Sequence, residues 1–136
     1  MTERTPVVDR VDEIFEDVAK DLLSGDEGVI VKRVSAVLAD LSRARIEATR
    51  LEATQKAYET NIAMNHQHTI DGGKNAEARK NILRGLLYEE MVPGTEIPVY
   101  HKILQDLAEA KDRRILGENL WRLVQAYRGI SEKPAE

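Results

Sequence analysis

His66, His68 and Asp71 are the side chains here whose types come nearest to metal chemistry. Imidazole nitrogens and a carboxylate are ordinary zinc ligands. Histidines two apart project to one side of an extended strand, with Glu59 or His101 available from elsewhere to complete a shell. The spacing is not the His-Glu-x-x-His pattern that sets two imidazoles on one helical face. A polar helix end accounts for the same residues, so no metal site and no cofactor is expected. Directly downstream, Gly72-Gly73-Lys74-Asn75 leads into a helix start, an arrangement whose backbone N–H groups can hold an anion. It lacks the full Gly-x-x-x-x-Gly-Lys-Ser/Thr pattern and no strand precedes it, so nucleotide hydrolysis is not implied. Carboxylate pairs such as Glu13 with Asp17 lie on the polar side of an acidic helix, where nothing prepares them for acid–base work. Cysteine is absent, which removes thiol nucleophiles, thiolate metal sites and disulfides. No catalytic residue is assigned, and the chain is read as a non-enzyme.

Cations supply the other candidate chemistry. Arg43 and Arg50 are seven apart on one side of a long helix, with Arg45 nearby. Lys74, Arg79 and Lys80, with Arg84 beyond them, extend the set of candidate nucleic-acid or anion contacts. Asp40, Glu47 and Glu77 interleave, and no surface aromatics are spaced for base stacking. The formal net charge of −4 is also unlike that of a general polyanion binder. Nucleic acid therefore ranks behind protein as a partner.

These residues are positioned by a chain of 136 residues with 42% apolar and 32% charged side chains, one domain's worth. Its dominant element is a helix over residues 28–64. Ile30, Val34, Val37, Leu41, Ala44, Ala48, Leu51, Gln55, Tyr58 and Ile62 recur at alternating four- and three-residue steps, a coiled-coil-like stripe free of proline. Asp26 is a candidate cap for it. Before it, Thr5-Pro6 reads as the start of a first helix over 5–23, a hydroxyl cap followed by proline in the first turn. Val7, Val11, Ile14, Phe15, Val18, Leu22 and Leu23 form its apolar stripe. Residues 1–28 hold nine acids against three bases, whereas 29–50 hold five bases against two acids, so the first helix is expected to lie beside the start of the second.

Asn75 is a candidate cap for a third helix over 76–90, with Glu77 in its first turn and Gly85 in its interior. Val92-Pro93-Gly94-Thr95 reads as a turn, Thr95 as a candidate cap and Pro98 as a first-turn residue of a last helix over 98–128. That helix carries two stripes: Tyr100, Ile103, Leu104, Leu107 and Ala108, then Ile115, Leu116, Leu120, Trp121, Leu123, Val124 and Tyr127. The polar run Lys111–Arg114 and Gly117 separate them, leaving open a split near 112. Gly129 closes the pattern, and 131–136 reads as a disordered tail.

The segment Asp71-Gly72-Gly73-Lys74-Asn75-Ala76-Glu77-Ala78-Arg79-Lys80, following a long helix, resembles a "DGKNAEER"-like segment in small helical proteins of bacteriophages and prophages. Asn75, Glu77 and Arg79 match; the second glycine is extra, Ala78 replaces an acid, and the helix at 5–23 has no counterpart. The resemblance implies a phage or mobile-element setting and no agreed activity. Within the fold, the glycines are expected to turn the backbone, Asn75 to cap, and Glu77 to pair with Arg79 or Lys80.

The fold expected is all-α, an elongated bundle of four to five helices in a single domain. The long second helix runs antiparallel to the last, flanked by the first and third. Leu51, Tyr58, Ile62, Trp121, Val124 and Tyr127 are its core or interface anchors. The surplus helix length suggests self-association, most simply a two-fold dimer. The function expected is a non-catalytic structural or protein-interaction module, with a DNA-associated accessory protein of phage replication or recombination as the alternative. No apolar run is long enough to span a membrane and no signal peptide is visible, which suggests a cytoplasmic setting, in the host cell if phage-encoded.

Overall fold

The structure, a computed structural model, describes residues 10–132, with side chains to residue 128. Within them it is all-α, with five helices: α1 (Val11–Leu22), α2 (Glu27–Asn65), α3 (Gln67–Asp71), α4 (Ala76–Leu87) and α5 (Val99–Glu132). None of these is long and apolar enough to cross a membrane.

Local chemistry sets the boundaries. Thr5 and Pro6, the expected start of the first helix, lie outside the described residues. After α1, Gly25 takes φ +77°, where a Cβ would be strained. The Asp26 carboxylate then accepts from the N–H groups of Gly28 (2.9 Å) and Val29 (3.3 Å), capping α2 as expected. Asn75 does the same for α4, accepting from Ala78 N–H at 2.8 Å, with Glu77 in the first turn of the helix. α4 ends at Leu87, three residues before the expected 90, because Tyr88 and Glu89 N–H turn back to Gly85 and Leu86 carbonyls.

Between α4 and α5 the turn at Val92–Thr95 closes through Thr95 N–H to Val92 O, with Gly94 at φ +78°. Thr95 is not the helix cap. Its hydroxyl donates to Val92 O and accepts from Ile97 N–H, so it serves the turn. Pro98 precedes α5, and its carbonyl receives the first helical bond, from Lys102 N–H.

α5 is continuous, so the split near 112 does not occur, and it runs past Gly129 through the first two residues of the expected tail. Residues 133–136 lie outside the described residues. Continuity survives the polar run because small or long-stemmed residues keep the inward phase: Ala110 is 1% exposed, Arg114 is half-buried and Gly117 is buried. Two expected stripe members face outward instead, Ile115 at 50% exposure and Ala108.

The described residues group into two compact units, one formed by those up to Ala48 with those from Ala110 onward, the other by Thr49–Glu109. In the first, α1 and parts of α2 and α5 enclose Val18, Val37 and Val124, with Leu22, Val34, Leu120 and Trp121 around them. Fully burying a valine of this kind is worth about 1.5–3 kcal/mol. Val37 packs with Val124 and Leu41 with Gly117, so α2 and α5 run antiparallel here, as expected. The acidic α1 lies beside the basic start of α2 through Arg33 Nε donating to Asp21 at 2.7 Å. In the second unit Ile62, Leu87 and Tyr100 form the centre, with Tyr58, Leu83, Leu86 and Leu104 packed on it.

Candidate functional site

The corner after α2 is helical, which alters the geometry of its histidines. His66 is the residue before α3 and His68 lies within it, so the pair does not project together as it would from a strand. Asp71 closes α3 and accepts from Gln67 at 2.9 Å. Among the described residues no group of three or more His, Cys, Asp or Glu side chains converges on a point where a metal could sit.

The glycines at this corner work by proximity. Neither Gly72 nor Gly73 has a positive φ. A Cβ on Gly73 would stand 2.8 Å from Arg79 N and 2.7 Å from its Cγ, so any side chain there collides with the first turn of α4. Arg79 then donates to the Gly73 carbonyl at 3.2 Å. The expected ion pair from Glu77 to Arg79 or Lys80 does not form; the guanidinium ties the corner to α4 instead. Lys74 and Lys80 are exposed.

The candidate anion contacts on α2 carry acidic neighbours. Arg43 is bonded to Asp40, and Arg45 lies 3.6 Å from Glu118 of α5. Arg50 is engaged as well. The expected interface anchors divide between the two cores. Val124 is fully buried among α1, α2 and α5, and Trp121 and Tyr127 are half-buried there. Leu51 and Ile62 are 8% and 9% exposed within the second unit, with Tyr58 half-buried beside Ile62. Leu51, Ile62 and Val124 are thus interior to their own chain.

The most polar part of the second core is a cluster absent from the sequence reading. Tyr58 and Tyr100 stack at 5.8 Å with an 18° tilt, and Tyr88 meets Tyr100 edge-on at 5.3 Å. The Tyr100 hydroxyl donates to the Glu59 carboxylate, which also accepts from Gln55 at 3.1 Å. Gln55, the polar member of the long stripe, is therefore a half-buried hydrogen-bonding residue beside this core. Burial, and then the bond to Glu59, push the Tyr100 phenol above its ordinary value; Tyr58 is raised by burial and then by the charge of Glu90. The Tyr100 hydroxyl is a structural donor, whereas that of Tyr58 is buried without a partner.

No protein-family model, curated protein or solved structure matches this chain. Geometry alone must therefore carry the functional reading, and the least ordinary geometry is the outward side of α2. Val31, Ser35, Leu38, Ser42 and Ile46 follow one another at four- and three-residue steps, about 100° round the helix from the core stripe. Val31 is 54% exposed, Leu38 44% and Ile46 69%. None of the five is charged. A second periodicity running beside the first was available in the sequence, but the stronger core stripe overlays it.

Proposed function

We propose that this chain is a non-catalytic structural or protein-interaction module that self-associates, most simply as a two-fold dimer through the outward side of α2. The observation that carries the reading is the uncharged stripe Val31–Ser35–Leu38–Ser42–Ile46, with its three large apolar residues left in solvent. A helix apolar on one side is covered by its own core; one with a further apolar stripe flanking that side has a second surface to cover. The stripe is about 22 Å long by the helical rise. One helix face of that length falls short of the roughly 800 Å² per partner of a standard stable interface. The association is accordingly weak and reversible.

Sedimentation equilibrium over about a hundredfold range of concentration tests this by mass action. The expected result is a mass rising from monomer toward dimer, abolished by the Leu38→Glu, Ile46→Glu double substitution. A monomer mass independent of concentration would sink it. The alternative, a DNA-associated accessory role, has less behind it, because Arg43 and Arg45 already face Asp40 and Glu118. The phage or mobile-element setting rests on the resemblance at residues 71–80.

A further inference from the structure

We propose that the groove over Tyr100 in the second unit receives an acidic segment of a partner protein, anchored by one large apolar side chain. The inference deepens the reading of the chain as an interaction module and rests on it. The groove lies between α4 and α5 and has a volume of about 310 Å³. Leu83, Leu87 and Leu104 form an aliphatic floor with Tyr100, and Tyr88 stands at one side. Lys80 and Arg84, one helical turn apart on α4, form the rim; no carboxylate lines the groove. Neither cation has a hydrogen bond or ion pair among the described residues. The contrast with the groove of the first unit is direct: there Asp40 and Glu47 stand among Arg43 and Arg113, so its rim is self-neutralised.

An apolar floor under two uncompensated cations selects an occupant that is apolar at its centre and anionic around it. Size then favours a peptide anchor over a small ligand. The volume is at the bottom of the range for drug-sized molecules, and Lys80, Arg84 and Tyr88 are all exposed, so the groove does not enclose its occupant. A large apolar side chain such as Leu or Phe seats in such a depression, in the way a few buried anchors dominate protein interfaces. Single-stranded nucleic acid shares the charge but needs an open aromatic face for stacking. Tyr100 does not offer one: it is 7% exposed, stacked on Tyr58 and abutted by Tyr88.

The test uses the full chain and four fluorescein-labelled probes in low salt: a peptide with Leu-Phe flanked on both sides by Asp and Glu, its Ala-Ala counterpart, its Lys-flanked counterpart, and a thymidine oligonucleotide. Fluorescence anisotropy should show the acidic Leu-Phe peptide binding best. Loss of the anchor pair should weaken binding about tenfold or more. The Lys80→Glu, Arg84→Glu double substitution, at two exposed positions, should weaken it about tenfold and turn the preference toward the Lys-flanked peptide, with the helical circular dichroism unchanged. Absence of binding, equal binding by the charge-reversed variant, or tighter binding of the oligonucleotide would each overturn the proposal. Self-association is read by mass and depends on α2 residues that this variant leaves intact, so the two readings fail separately.

Discussion

The Tyr58 hydroxyl is buried with no hydrogen-bond partner, whereas the Tyr100 hydroxyl stacked beside it is bonded to Glu59. The same substitution should therefore act in opposite directions at the two sites. Tyr58→Phe removes an unpaired polar group and should raise stability in urea titrations by about 1 kcal/mol. Tyr100→Phe leaves the half-buried Glu59 carboxylate with Gln55 alone and should cost about 1–2 kcal/mol. Both phenols titrate above their ordinary 10.0 in the folded chain, so the unfolded chain loses these protons first. Their contribution is complete below that pH and declines as the pH climbs through the raised folded values. Urea midpoints measured between about pH 9 and about pH 11 should fall, and fall less steeply in either Phe variant. An unchanged slope in both would contradict the burial of the hydroxyls. At this scale the sequence was only partly legible. Gln55 reads as a defect in the long stripe because spacing records the direction of a side chain, and its partners Glu59 and Tyr100 come from one turn along and from another helix.

At the scale of the elements, three glycines that look alike in sequence have different environments. Gly85 sits within α4 with open space where a Cβ would point, so Gly85→Ala should stabilise by up to about 1 kcal/mol through helix propensity alone. Gly73 faces the backbone of Arg79 at less than contact distance, and Gly117 faces Leu41, whose Cα would be 3.3 Å from an added Cβ. Gly73→Ala must displace the first turn of α4 and Gly117→Val must push α5 from α2, each costing about 1–3 kcal/mol as overpacking. Thermal or urea unfolding of the three variants should rank Gly85→Ala above the parent and the other two below it. The caps at Asp26 and Asn75 and the span of α2 are legible because they depend on neighbours within a turn. The continuity of α5 is not, since Ala110, Arg114 and Gly117 hold the inward positions without an apolar signature, and only the facing residues of α2 show that small size was what the packing required. Thr95 misleads for a related reason: a hydroxyl ahead of a proline looks like a cap, but the tight Val92–Thr95 turn claims it first.

For the whole molecule, a helix as long as α2 needs its stripe covered by the other helices or by a second copy, and the chain's own helices do this: Val37, Leu41, Ala48, Leu51 and Ile62 are all buried within one copy. The surface of α2 left for self-association is therefore its outward stripe, where Val31, Leu38 and Ile46 remain in solvent. That placement has a thermodynamic consequence. If the inner stripe were the dimer seam, the monomer would lose its core on dissociation and folding would be inseparable from association. With the outer stripe as the seam, the monomer keeps both cores, and association adds only a mass-action increment to an already folded chain. The melting temperature should then rise modestly with protein concentration, by the few degrees that about 1 kcal/mol of linkage confers on a chain of this size. In the Leu38→Glu, Ile46→Glu variant that dependence should vanish while the melting temperature matches that of the parent at its lowest concentration. A variant that is unfolded at every concentration would instead place those two residues in the core, and would refute the outward seam.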